Sequence, residues 1–206
     1  MSLQIYHQNV TDIVLSEVYG SLSPERQADM DRKRFENDKK LSAGAGLLLR
    51  YAFKDAGISE DFPVIEKNLF GKPYLRDYPD IHFNISHSGK YVFLAVSDKE
   101  VGCDVEEIKP FRDFNSSRLA IAEHFFSEGE VRAINGTPEL SEKNLLFYKI
   151  WTMKESFIKA KGGGLSIPLD SFDVLSGEGT EGAVFQNHEL SEGYVFTTCE
   201  LKNGQD

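Results

Sequence analysis

Three groups of residues have the types and spacing to do chemistry. The first is Trp151-Thr152-Met153-Lys154-Glu155-Ser156-Phe157-Ile158-Lys159. In a helix, residues four apart share a face, so Trp151, Glu155 and Lys159 form one stripe with Lys154 beside it. An aromatic, an acid and a base in line suit a site that holds a metal and a polyphosphate. They equally suit a surface ion pair beneath a buried Trp. The second group is Val101-Gly102-Cys103-Asp104-Val105-Glu106. Its strict alternation puts Val101, Cys103 and Val105 on one strand face and Gly102, Asp104 and Glu106 on the other. Two neighbouring carboxylates repel unless a cation or solvent lies between them. Such hard oxygen donors suit Mg²⁺ bound together with phosphates, or simply a solvated strand side. The third group is Ser86-His87-Ser88-Gly89-Lys90, whose His is either a phosphate donor or an exposed turn residue.

The elements that must position these groups follow from pattern. Ser23-Pro24-Glu25 predicts a helix start, running to about Phe35. Asn37 or Asp38 caps a second helix over Leu41 to Lys54, ended by Gly57. Strands are expected at His82–Ser86, Tyr91–Ser97 and Val101–Glu106, joined by turns short enough for hairpins. If the last two pair antiparallel, Glu106 lies at the end of the sheet that carries Ser86, His87 and Lys90. After Pro110 the pattern turns helical: Ser116 or Ser117 caps one helix and Ser127-Glu128-Gly129-Glu130 forms a capping box for the next. Thr137-Pro138 opens the long helix carrying Trp151, and Gly162-Gly163-Gly164 stops it. Short strands are expected near Phe172–Leu175, Ala183–Gln186 and Tyr194–Leu201. Helices then a meander, twice over, predict an α+β fold of two similar halves, 1–100 and 101–206.

Composition narrows the function. A chain of 206 residues can bury a real core, and a net charge of −10 disfavours a nucleic-acid partner. Phosphate affinity must therefore come from local cations. Lys72, in the rigid turn Gly71-Lys72-Pro73, is one candidate, and Arg32-Lys33-Arg34 and Lys39-Lys40 are the main basic clusters. Acids interspersed among these clusters also fit a solvated helix face. Gly44-Ala45-Gly46 has no Gly-Lys-Ser/Thr after it and reads as close helix packing. Cys103 and Cys199 read as buried thiols, and with no secretory leader or membrane span in view a cytoplasmic protein is the default.

Taken together and in order, Gly71-Lys72-Pro73, Phe83-Asn84-Ile85-Ser86-His87-Ser88, the Val101–Glu106 strand and the Trp151–Lys159 helix resemble the motifs of the 4′-phosphopantetheinyl transferases of the surfactin-synthetase-activating type. Phe125-Phe126-Ser127-Glu128 and Leu165-Ser166-Ile167-Pro168 extend the resemblance to roughly residues 23–175. It implies a monomer of two α+β halves with coenzyme A in the cleft. The reaction moves phosphopantetheine from coenzyme A to a serine of an apo acyl or peptidyl carrier protein and releases adenosine 3′,5′-bisphosphate. Asp104, Glu106 and Glu155 match the Mg²⁺ ligands, and Lys159 the residue near the pyrophosphate with Lys154 beside it. Ser86 and His87 match contacts near the 3′-phosphate, with Lys72 near the nucleotide. Glu155 is also the candidate base. Many members carry an Arg three residues after the acidic start of the second helix; counted from Asp38 that position is Leu41, so either Lys40 replaces it or coenzyme A is held by fewer cationic contacts. A coenzyme A-binding protein without transferase activity and a Mg²⁺-dependent phosphohydrolase are the rival classes.

Overall fold

A computed structural model of the chain describes residues 2–109, 118–188 and 193–202. The order is β1 (Gln4–Asn9), α1 (Leu15–Val18), α2 (Pro24–Arg32), α3 (Glu36–Asp55), β2 (Ile65–Lys67), β3 (Pro73–Leu75), β4 (His82–Ser88), β5 (Tyr91–Ser97) and β6 (Val101–Glu107), then α4 (Arg118–Phe125), α5 (Glu128–Gly136), α6 (Leu140–Lys161), β7 (Ala183–His188) and β8 (Tyr194–Leu201). This is the expected α+β architecture. β1, β5 and β4 form one antiparallel sheet, β6, β8 and β7 a second, and β2 pairs with β3 in a small hairpin. The expected caps at Ser116 and Ser117 lie outside the described residues.

Each three-stranded sheet carries one long helix. The apolar face of α3, through Leu41, Ala45, Leu48, Leu49 and Ala52, packs on Val92, Leu94 and Val96 of β5. Gly44 and Gly46 let α3 pack closely on its other neighbours: a Cβ at Gly44 would stand 2.6 Å from Val10 Cγ1, just after β1, and one at Gly46 2.8 Å from Arg26 Cγ of α2. The alternate residues of β5, Phe93 and Ala95, face the other way and pack with Val101, Cys103 and Val105 of β6 and with Phe196 of β8. Phe93 and Phe196 stack with centroids 4.3 Å apart. β5 is therefore apolar on both faces because both are covered.

Several boundaries differ from expectation. α2 ends at Arg32, and α3 starts at Glu36 with Phe35 as an N-cap that makes no side-chain hydrogen bond. α6 opens after Glu139 instead of Thr137-Pro138. The expected strand at Phe172–Leu175 is a turn, because Asp173 Oδ1 accepts the backbone N–H groups of Leu175 and Ser176 and holds the chain bent. The segment Leu69–Tyr78 contains β3, which pairs back on β2. Most consequential for the site, β5 and β6 do not form a hairpin: β6 takes its ladder from β8, in the register Asp104↔Thr197 and Glu106↔Val195.

Candidate functional site

With no β5–β6 ladder, β6 is brought to β4 by other means. The two strands run alongside each other in the same direction, joined by side chains. Asn84 Oδ1 accepts the Cys103 N–H at 2.9 Å, Ser86 Oγ donates to Asp104 Oδ1 at 2.9 Å, and Ser88 Oγ donates to Glu106 Oε2 at 3.1 Å. Ser88 Oγ also accepts the Glu107 N–H at 3.1 Å. Asn84, Ser86 and Ser88 lie at period two on one face of β4. His87 is on the opposite face, exposed near the start of α3, where Asn37 donates to the Gly89 carbonyl at 3.1 Å.

The Gly102, Asp104 and Glu106 face of β6 receives α6. Thr152, Ser156 and Ala160, four apart, make a buried stripe of small residues along the helix. Thr152 and Thr197 share a hydroxyl hydrogen bond at 2.8 Å. A Cβ on Gly102 would sit 2.0 Å from the Ser156 carbonyl oxygen and 2.4 Å from the Ala160 nitrogen. Only a glycine there lets the helix lie this close. The closeness brings Lys159 Nζ to 2.6 Å from Asp104 Oδ1 and 3.2 Å from Ser86 Oγ. Beside this contact is a cleft of about 330 Å³ lined by Phe70, Lys72, Asn84, Glu155, Lys159 and neighbouring residues.

The electrostatics describe a site with surplus negative charge. Asp104 Oδ2 is buried and, among the described residues, has no hydrogen-bond partner. Burial first, then the Asp104 carboxylate, raises the Glu106 pKa above the glutamate range, against the pull of Ser88 and Lys159. Burial also raises Glu155; Lys159 opposes it, while Asp104 and Glu106 add to the rise. Burial alone would depress the Lys159 ammonium, but Asp104 and its other acidic neighbours hold it above the ordinary lysine range. For His87, desolvation and then the charges of Lys159 and Lys33 push the imidazole below the usual range.

The structure thus brings together Ser86, Asp104, Glu106, Glu155 and Lys159, with His87 at the same end of β4. Lys72 contributes to the cleft wall, but its ammonium donates to the Ala160 carbonyl at 2.7 Å and pairs with Glu100. With Asn68 bonded to the Gly162 carbonyl at 2.9 Å, it ties the β2–β3 hairpin to the end of α6. Two expected residues are elsewhere. Lys154 is fully buried in the second core, donating to the carbonyls of Leu169 (2.8 Å) and Phe172 (2.7 Å) and pairing with Glu130 at 2.7 Å. These contacts use all three of its donors, which corrects its placement among the coenzyme A contacts. Lys40 is turned to the Thr11 carbonyl at 2.9 Å and to Glu36 at 3.5 Å. Leu41 is a buried core residue. The cation that influences His87 from this region is Lys33.

Asn84, Ser88, Gly102, Thr152 and Ser156 stand inside the motifs, which assign them no role, and Ala160 completes the stripe one turn beyond Ser156. Their signals were present: a polar period-two stripe on a strand, and small residues at helical spacing opposite a strand glycine.

With this geometry established, comparison with known proteins is informative. Residues 100–201 match the 4′-phosphopantetheinyl transferase superfamily, and residues 11–99 match 4′-phosphopantetheinyl transferase, N-terminal. The chain is 40% identical over 211 residues to the 4′-phosphopantetheinyl transferase ffp of Bacillus subtilis, covering 95% of this chain and 87% of the relative. It is 32% identical over 194 residues to 4′-phosphopantetheinyl transferase Sfp of Bacillus subtilis (strain 168), covering 86% and 81%. It is 31% identical over 160 residues to an L-aminoadipate-semialdehyde dehydrogenase-phosphopantetheinyl transferase of Xenopus laevis, covering 74% and 53%.

Proposed function

This chain belongs to the 4′-phosphopantetheinyl transferase superfamily, and we propose that it transfers phosphopantetheine in the cleft walled by the β2–β3 hairpin, β4 and α6, with Mg²⁺ bound beside it to Asp104, Glu106 and Glu155. The observation that carries this reading is the Lys159–Asp104 contact beside a buried, unpartnered Asp104 oxygen and two carboxylates of raised pKa. Such a set fits a hard cation, which would offset the burial and then the mutual repulsion that raise Glu106 and Glu155. Among the described residues, no three His, Cys, Asp or Glu side chains form a ready metal cage. The remaining coordination positions would fall to substrate phosphate oxygens and water, as Mg²⁺ prefers. When bound, the ion would supply charge neutralisation on the pyrophosphate.

The chain's own groups account for the rest. The carrier serine hydroxyl attacks the β-phosphorus of coenzyme A. A serine O–P bond forms and the bond to the bridging oxygen breaks, so adenosine 3′,5′-bisphosphate leaves with that electron pair. Positioning and charge neutralisation dominate such a transfer. Lys159, already held charged by Asp104, stands ready to offset charge building on the departing phosphate. Glu155 takes the serine proton, directly or through water; a carboxylate that also held the cation would be a weak base, a difficulty that a relaying water offsets. His87, exposed and beside Lys33, meets the 3′-phosphate; Lys72 holds the cleft wall.

Incubation with coenzyme A, Mg²⁺ and an apo acyl carrier protein tests the reading. The carrier should gain the mass of phosphopantetheine, as a holo-carrier-protein synthase requires, and a chelator should stop the gain. Binding of coenzyme A without transfer, or its breakdown without carrier, would overturn it. A cytoplasmic monomer completes the proposal. Among the described residues no helix is long and apolar enough to cross a membrane, and gel filtration tests the oligomeric state.

A further inference from the structure

We infer that Ser88 is a positioning residue for Glu106, fixing which oxygen of that carboxylate is free to bind a cation. The inference rests on the Mg²⁺ reading above and adds to it a residue outside the proposed ligand set.

A hydroxyl has one hydrogen, and whatever occupies its lone pairs determines where that hydrogen points. Ser88 Oγ accepts the Glu107 N–H at 3.1 Å, a backbone donor that β6 itself holds in place. Its hydrogen is thereby directed to Glu106 Oε2 at 3.1 Å. Glu106 has three side-chain torsions, and this bond selects one carboxylate pose among them. Among the described residues Oε1 makes no hydrogen bond and remains the open donor. Ser86 repeats the arrangement one pleat earlier: Asp104 Oδ1 takes the Ser86 hydroxyl and Lys159, and among the described residues Oδ2 has no partner. Each carboxylate on this face of β6 thus has one oxygen tied to a hydroxyl of β4 and one open. Two like charges held close on one strand face favour swinging apart. The Ser88 bond opposes that swing for Glu106, which is the more exposed of the two.

The site's metal affinity should therefore depend on a residue that touches neither metal nor substrate. Removing an outer hydrogen bond to a ligand typically costs about 10- to 100-fold in metal affinity or activity. Mn²⁺ serves as the probe. It is titrated into the full chain at fixed coenzyme A concentration, with a coenzyme A blank, and free Mn²⁺ is read by electron paramagnetic resonance. Ser88→Ala should weaken Mn²⁺ binding by about 10-fold, while Ser88→Thr, which keeps the hydroxyl, should restore most of the loss. Thermal unfolding of the metal-free variants verifies that both are folded. Wild-type binding accompanied by unchanged affinity in Ser88→Ala would overturn the role of Ser88 and leave the metal reading standing. An equal loss in Ser88→Thr and Ser88→Ala would also overturn it, because the hydroxyl would then not be the cause. Failure of the wild-type chain to bind Mn²⁺ would overturn the metal reading itself, and Ser88's role with it.

Discussion

Replacing Gly102 by Ala tests how the site is assembled, because no functional group is removed. The added methyl would stand 2.0 Å from the Ser156 carbonyl oxygen, 2.4 Å from the Ala160 nitrogen and 3.0 Å from the Lys159 carbonyl carbon. All three are backbone atoms of α6, so no rotamer change relieves the clash. Ordinary contact begins at 3.4 Å, so going from 2.0 to 3.4 Å needs a retreat of about 1.4 Å. If α6 shifts as a body, the Lys159–Asp104 contact opens from 2.6 Å to about 4 Å, beyond hydrogen-bond reach. Overpacking of this kind costs about 1–3 kcal/mol, which a domain of ordinary stability survives. A misplacement of about 1 Å at a reacting centre costs about 100-fold in rate. Gly102→Ala should therefore unfold at lower urea concentration, remain folded in its absence, and modify carrier protein about 100-fold more slowly. Gly136→Ala, where a Cβ meets nothing within 4 Å, is the control and should change little. Wild-type stability and turnover in Gly102→Ala would refute the argument that the glycine seats the helix. Lost stability with normal turnover would show that the strain is absorbed away from Lys159.

Other predictions separate structure from chemistry. Lys154→Met should cost about 3–5 kcal/mol in urea unfolding, because it leaves Glu130 buried and unpaired, while the folded fraction keeps its affinity for coenzyme A; lost affinity in folded protein would return Lys154 to the ligand set. Glu155→Ala should lower turnover by about 100-fold or more, measured as holo-carrier formation at saturating Mg²⁺; near-normal turnover would remove Glu155 from both its roles. Desolvation, then Lys159 and Lys33, hold the His87 imidazole below the usual histidine range, which favours its neutral form in the free protein. As pH falls below 6.5 the unfolded chain takes the proton first, so His87 subtracts stability progressively until its folded pKa is passed. A 3′-phosphate would stabilise the imidazolium, so metal-free affinity for adenosine 3′,5′-bisphosphate should rise as pH falls through this range. In His87→Asn, isothermal titration should show that rise reduced, and an unchanged pH slope would count against the assignment.

Local patterns carried much of the fold in the sequence. The alternation over Val101–Glu106 is realised face for face, with Val101, Cys103 and Val105 in the core between the sheets and the acids turned to α6. The capping box at Ser127 and Glu130 forms as written. What failed was long-range pairing. Asp98-Lys99-Glu100 looks like a hairpin turn, yet β6 pairs with β8, whose residues lie far along the chain. A turn motif is local, whereas the choice of strand partner depends on which apolar faces must be covered. Lys154 and Lys159 carry a related lesson. Five residues apart, they project about 140° from each other around the helix. Lys154 therefore enters the second core and Lys159 reaches the carboxylates. Lys40 is the nearest cation to Leu41 in sequence, yet after Lys159 the cation that acts on His87 is Lys33, on the loop before α3.

The seam between β4 and β6 bears on solubility as well as catalysis. Both are edge strands of their sheets, and an uncovered edge is a template for pairing with another chain. Here two edges meet without a ladder. The N–H groups of Cys103 and Glu107 are capped by the Asn84 amide and the Ser88 hydroxyl, so neither is open to an incoming strand. The same polar stripe that orients the carboxylates also closes off β6. Substitutions along that stripe would act twice, slowing the reaction and exposing an aggregation-prone edge.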